Sequence, residues 1–212
     1  ENGSAIVLPK EFPKPVSSCV AMKDDRWVLE LGPRMSEIRE KMVSMALQAR
    51  VRVRNLLDMT IDEVVQVTGL SADVAALARE REYTLPFLLE GELSGFDHFK
   101  YLARQENLRV VQGGKLNHLT GSVDKGSAFE HLMGFCQDLG TYGFRVALGD
   151  AENDLGLLAR ADLPIVIPTS KGWNPQLVAL PGVRLAARGA PGGWVDEIQK
   201  ILHECEIGPI TI

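Results

Sequence analysis

Phe144-Arg145-Val146-Ala147-Leu148-Gly149-Asp150-Ala151-Glu152-Asn153-Asp154 is the stretch that decides how this chain folds. Phe144 to Leu148 is an apolar run of strand length, Gly149-Asp150 is a turn, and a helix is expected from about Asn153 to Arg160. A second apolar strand, Leu163 to Ile167, follows. Upstream, Asp124 can cap a helix whose inner face is Ala128, Leu132, Cys136 and Leu139, with Gly140 as its stop. Helix, strand, helix, strand with short turns is the rhythm of a parallel α/β sheet.

In open α/β sheets ligands gather beyond the carboxyl ends of the strands, and Asp150 stands where such a strand ends. A hard cation such as Mg²⁺ takes oxygen ligands and uses one or two protein carboxylates, which suits Asp150, with Asn153 and Asp154 close by in the first helical turn. The competing reading is that these residues only cap a helix, where Asp and Asn are favoured. Asp124-Lys125-Gly126 is the second feature. A lysine in the first turn of a helix opposes the macrodipole, and a bound phosphate would relieve that, whereas a solvated surface lysine is the plain alternative. Taken together, the two features set a cation and a metal ligand at one sheet edge, the pairing that a Mg²⁺-bound phosphorylated substrate needs.

The rest of the chain has a different texture. Ala5 to Leu8 reads as a short strand, and a second is expected around Trp27-Val28-Leu29. Met35, Ile38, Met42, Met45 and Ala49 recur at spacings of three and four, predicting an amphipathic helix from about Pro33 to Arg50. Thr60-Ile61-Asp62-Glu63 fits a capping box for a helix ending near Gly69, and Ser71 can cap another running to about Glu82. Pro86 to Leu89 reads as a strand, Phe96 to Ala103 as a helix, and Leu108 to Gln112 with Lys115 to Thr120 as a hairpin turning at Gly113-Gly114. The expected architecture is a Rossmann-like α/β core made from residues 1–20 and 120–212, with an α+β cap inserted at 21–119.

Composition narrows the function classes. The chain has 212 residues, 45% hydrophobic and 24% charged, enough to build a core and too apolar for a disordered tail. With 28 acidic against 23 basic residues its net charge is −5, the wrong sign for a non-specific nucleic-acid binder. No apolar run approaches the roughly 20 residues that cross a bilayer, and Glu1-Asn2-Gly3-Ser4 has no signal-peptide pattern. Cys19, Cys136 and Cys205 lie far apart without CxxC spacing, so reduced thiols and a cytoplasmic protein are expected.

Asp124-Lys125-Gly126 followed by Gly149-Asp150-x-x-Asn153-Asp154 resembles motifs III and IV of the haloacid-dehalogenase-like hydrolases, in their Cof-type phosphatase branch. Asp58-Met59-Thr60 with Glu63, Thr68-Gly69-Leu70, Ala78 through Arg81-Glu82-Tyr83 to Pro86-Phe87, and Gly113-Gly114-Lys115-Leu116-x-His118-Leu119 are similar to the cap of mannosyl-3-phosphoglycerate phosphatases. Gly192-Gly193-Trp194 and the opening Glu1-Asn2-Gly3-Ser4-Ala5 also look like segments of that family.

The resemblance implies a Mg²⁺-dependent phosphomonoesterase in which an aspartate nucleophile forms a phospho-aspartyl intermediate. Lys125 would steady phosphate and nucleophile, Asp150 would bind the metal with Asn153 and Asp154 in support, and Asn2, Arg81, Gly114 and Lys115 would contact substrate. That substrate is expected to be a small phosphorylated sugar glycerate, with mannosyl- or glucosyl-3-phosphoglycerate as the class and a compatible-solute precursor as product. Neither a nucleic acid nor a membrane is implied as partner. Arg79 is weighed beside Arg81 as a holder of the glycerate carboxylate, against a solvated helix end. Leu85 stands where the family pattern often has an acidic residue, and Lys115 where it has arginine. No Asp-x-Asp follows an apolar strand anywhere in the sequence. The nucleophile and acid/base are therefore expected upstream of Glu1, in a longer protein of which this chain is about three-quarters, and the chain alone is expected to be inactive. A Cof-type phosphatase for another sugar phosphate, or a non-catalytic binder of phosphorylated metabolites, are the alternatives.

Overall fold

The computed structural model describes residues 1–15, 20–91, 93–113, 116–140 and 143–204. Three short strands open the chain: β1 (Ala5–Pro9), β2 (Val20–Lys23) and β3 (Arg26–Glu30), antiparallel in the order β1-β3-β2. Lys23 pairs with Arg26, leaving Asp24-Asp25 as a two-residue hairpin turn. Both have positive φ, 45° and 62°, the left-handed conformation that a type I′ turn requires and aspartate tolerates. Residues 1–20 were expected in the α/β core; β1 pairs with β3 in a small antiparallel sheet, where Ile6 stands opposite Leu29 and Leu8 opposite Trp27.

Helix α1 (Met35–Ala49) follows, its stripe of Ile38, Met42, Met45 and Ala49 buried as the spacing predicts. Strand β4 (Arg52–Asn55) was not expected. Helix α2 (Ile61–Thr68) starts in the anticipated capping box. The Thr60 hydroxyl accepts the Glu63 N–H, Glu63 Oε2 accepts the Thr60 N–H at 2.7 Å, and Gly69 closes the helix at φ 80°. Helix α3 (Ala72–Ala78) stops four residues short of Glu82, and Ser71 makes no side-chain cap bond.

Strand β5 (Thr84–Glu90), helix α4 (Phe96–Gln105), strand β6 (Leu108–Gly113) and strand β7 (Leu116–Gly121) complete this part. The sheet runs β4-β5-β7-β6, antiparallel throughout. Gly113 pairs with Leu116, so it belongs to the ladder rather than the turn expected at Gly113-Gly114. Period-two alternation sorts the faces. Leu85, Phe87 and Leu119 pack with α1 and α4, whereas Leu88 and Leu116 pack with Val64 and Ala75 of α2 and α3. Phe87 and Phe99 meet at 5.7 Å between ring centroids. Each such buried side chain contributes about 1.5–3 kcal/mol. Leu85 is wholly buried in that layer, where an acidic residue would be unsolvated.

A second unit begins at Asp124. It contains α5 (Lys125–Asp138), β8 (Val146–Gly149), a 3-10 turn at Glu152–Asp154, α6 (Leu155–Leu158), β9 (Leu163–Val166), α7 (Pro175–Val178), β10 (Arg184–Leu185) and α8 (Gly192–Glu204). Its sheet is parallel in the order β10-β9-β8, with helices on both faces as parallel sheets require. Ala147, Val166, Leu158 and Leu177 fill one face; Ile165, Ile167, Ala186 and Ile201 fill the other.

Glu1 and Gly3–Val123 form one compact unit, and Asn2 with the chain from Asp124 forms the other. β8 starts at Val146 rather than Phe144, which is 64% exposed, because the Arg145 fork binds Asp162 at 2.9 and 2.6 Å and fixes the strand entry there. The expected inner face of α5 is shallower than its pattern suggests. Ala128, Leu132 and Cys136 are half-buried and Leu139 is exposed, since the helix is held mainly at its first turn, against α6. Cys19 and Cys205 lie outside the described residues.

Glu63 also carries a pH signature. The hydrogen bond from Arg54, and then that from the Thr60 N–H, lower its pKa from 4.5 to about 2. A carboxyl depressed in the folded state stabilises above its unfolded pKa and loses that contribution as pH falls toward the folded value. Acid titration followed by circular dichroism should therefore show helix loss between about pH 4.5 and 2 that is smaller in Glu63→Gln; equal losses in both proteins would assign the acid sensitivity elsewhere.

Candidate functional site

The carboxyl end of β8 is built around a buried carboxylate. A Cβ on Gly149 would stand 2.4 Å from the Asp154 Cβ, so only glycine leaves room for the Asp154 side chain to fold under the turn. There Asp154 Oδ2 accepts the N–H groups of Asp150 and Ala151 at 3.1 and 3.2 Å. Its Oδ1 accepts from Lys125 Nζ at 2.5 Å. With a side chain 7% exposed and both oxygens engaged, Asp154 fixes the turn and the ammonium together.

Lys125 reaches this carboxylate because α5 and α6 approach backbone to backbone. A Cβ on Gly126 would lie 2.3 Å from the Gly156 carbonyl oxygen, and one on Gly156 would lie 2.7 Å from Asp124 Oδ2. Asp124 caps α5 as expected, accepting the Ser127 N–H at 2.7 Å and the Ser127 hydroxyl at 2.8 Å. The lysine in the first helical turn is thus balanced by two carboxylates, Asp124 and Asp154.

Asp150 differs from its neighbours. It is exposed, directly follows the strand, and its carboxylate makes no hydrogen bond with any described residue. A helix cap would have been seen bonding N–H groups; that work belongs to Asp154. Asn153 donates from Nδ2 to Asn2 Oδ1 at 3.0 Å, so Asn2 is brought to this turn. Lys125, Asp150, Asn153, Asp154 and Asn2 therefore gather within one unit. Arg81 belongs to the other unit, and Gly114 and Lys115 lie outside the described residues.

The donor chemistry fits magnesium. Asp150 offers a hard, open carboxylate oxygen, and Asn153 and Asp154 support the turn that carries it. Among the described residues no three His, Cys, Asp or Glu side chains cluster as a metal cage. The sequence did not reveal the Gly126–Gly156 contact. Two glycines thirty positions apart (126 and 156) announce nothing until α5 and α6 are packed.

No family model matches the chain. It is 34% identical to a glucosyl-3-phosphoglycerate/mannosyl-3-phosphoglycerate phosphatase of Persephonella marina, over 98% of this chain and 76% of that protein. It is 28% identical to a protein of the same name from Methanococcoides burtonii, over 95% and 74%. Among solved structures it is similar to a phosphatase of the haloalkanoate (HAD) enzyme superfamily from Bacteroides thetaiotaomicron, with a TM-score of 0.53 and 14% identity over 89% of this chain and 71% of that one. This last likeness concerns the fold.

Two helix glycines provide an internal control for the packing of the site. Gly126→Ala must push α5 from α6 and is expected to cost about 1–3 kcal/mol in chemical unfolding. Gly134, in the same helix with nothing within 4 Å of a Cβ, should gain about 0.5–1 kcal/mol on the same change. Equal responses at the two positions would remove the close approach as the reason for Gly126.

Proposed function

We propose, from the premise that this chain belongs to the glucosyl-3-phosphoglycerate/mannosyl-3-phosphoglycerate phosphatase family, that it acts on mannosyl-3-phosphoglycerate or glucosyl-3-phosphoglycerate. The chain is a phosphatase with a haloacid-dehalogenase-like fold. Its substrate, its use of Mg²⁺ and its cytoplasmic site of action belong to the proposal.

The observation that carries this reading is the Lys125–Asp154 pair, 2.5 Å long, beside the open carboxylate of Asp150. A phosphomonoester is a dianion whose charge shifts during transfer, so its site needs fixed cationic donors held away from bulk water. Lys125 has three ammonium donors, one of them committed to Asp154, which leaves others for a phosphoryl oxygen. Its side chain is 35% exposed, accessible yet held by the buried carboxylate. Asp154 orients Lys125 and holds the turn; Asn153 and Asn2 brace each other at its rim. Asp150 is the residue to hold Mg²⁺, with Asn153 and Asp154 in support, and the ion when bound supplies further neutralisation of the phosphoryl group. Arg81, Gly114 and Lys115 select the glycerate end of the substrate. The attack itself, by an aspartate upstream of Glu1 through a phospho-aspartyl ester, is part of the same proposal.

Phosphate release is the measurement, made on the phosphatase with the upstream aspartate present. Mannosyl- and glucosyl-3-phosphoglycerate should turn over well ahead of generic sugar phosphates; no preference would withdraw the substrate assignment. Asp150→Ala should lower Mg²⁺-dependent turnover by more than about a hundredfold, as loss of a major electrostatic element does. Near-parent turnover would return Asp150 to a structural part of the turn.

A further inference from the structure

The segment that follows α3 is pinned along its backbone. The Glu1 carboxylate accepts the Glu82 N–H through Oε1 at 2.9 Å and the Tyr83 N–H through Oε2 at 3.1 Å. Met35 N–H donates to the Glu82 carbonyl at 2.6 Å. The Tyr83 hydroxyl donates to Glu30 Oε1 at 2.9 Å, and the Arg34 fork grips Glu30 through Nη2 at 2.5 Å and Nε at 3.2 Å. The Glu82 side chain pairs with Lys23. Burial, and then the Glu30 carboxylate, push the Tyr83 hydroxyl well above the usual tyrosine range, so it remains a donor.

Arg81 immediately precedes these anchors and takes no part in them. Its Nε is buried without a hydrogen-bond partner, and its guanidinium makes no ion pair with any described residue. Arg79, two positions earlier, is engaged: its Nη2 donates to the Leu57 carbonyl at 3.2 Å. Arg79 is thus tied to the protein through Nη2, whereas Arg81 has no partner among the described residues.

A guanidinium selects a carboxylate or phosphate through a planar fork, so its value depends on how firmly its own backbone is set. A carboxylate that takes two consecutive N–H groups fixes the orientation of the peptides it holds, and charge-assisted bonds of this kind are roughly twice as strong as neutral ones. We infer that Glu1 is a positioning residue for substrate selection. By holding the Glu82 and Tyr83 amides it sets the backbone from which Arg81 presents an uncommitted guanidinium to the anionic end of a phosphorylated glycerate. This assignment rests on the proposed role of Arg81 in substrate binding, and it adds a residue, eighty positions away in sequence, through which that role is exerted.

The test compares Glu1→Ala, Glu1→Gln, Arg81→Ala and the Glu1→Ala/Arg81→Ala double variant, each in the phosphatase with the upstream aspartate present. The substrates are glucosyl-3-phosphoglycerate and p-nitrophenyl phosphate, which has no glycerate carboxylate. Glu1→Ala should raise KM for the glycerate ester by about tenfold more than for p-nitrophenyl phosphate, with a smaller effect from Glu1→Gln, which keeps one acceptor oxygen. The double variant should be no worse than Arg81→Ala, since one residue acts through the other. Amide hydrogen exchange at Glu82 and Tyr83 should quicken in both Glu1 variants, an effect read without turnover. Equal KM changes on the two substrates, losses that add in the double variant, or unaltered exchange at both amides would overturn the role of Glu1. If Arg81→Ala itself leaves the glycerate ester's KM as it was, the reading of Arg81 fails instead, and the inference built on it falls with it.

Discussion

A single buried carboxylate organises the end of the parallel sheet. Asp154 cannot be left charged and unpaired in a site only 7% exposed, so it must collect donors, and those it collects determine everything nearby. Two backbone amides give the turn its shape, and the Lys125 ammonium gives the first turn of α5 its direction. Glycines 126, 149 and 156 clear the space in which this can happen. The functional reading follows from what that network leaves over: unspent donors on Lys125 and an open carboxylate on Asp150.

The contrast between neighbouring carboxylates is instructive. Asp150 and Asp154 stand four positions apart in one acidic turn and are chemically identical, yet one is a brace and the other faces solvent. The helix-capping and metal-binding readings of that turn were competing explanations at the level of sequence. In three dimensions the amide-bonding part falls to Asp154, and the Asp150 carboxylate makes no such bond among the described residues. Preorganisation of this type is what lets a site meet a highly charged ligand without reorganising at the moment of reaction.

Much of the fold could be read from periodicity, and the exceptions have physical causes. The α1 stripe, the Thr60–Glu63 capping box and the β6–β7 hairpin are local signals, and all three stand in the structure. Strand β4, Arg52-Val53-Arg54-Asn55, escaped because one apolar residue among polar ones makes no pattern; it is a strand only because β5 pairs with it. Phe144 is as apolar as the strand beside it, yet the Arg145–Asp162 clamp begins β8 after it. At the site, residue types and spacing brought out Lys125 and the acidic turn. They could not say which carboxylate would be folded under, because that depends on the missing Cβ of Gly149. The amide partners of Glu1 lie too far along the chain to be inferred from spacing.

Among the described residues, each buried cluster is drawn from one segment of the chain. The clusters around Phe87 and Val64 come from one, those around Leu158 and Ile165 from the other. Within each cluster, neighbouring substitutions are expected to couple rather than add. The buried network around Asp154 thus stands on glycines and helix turns that lie within its own segment.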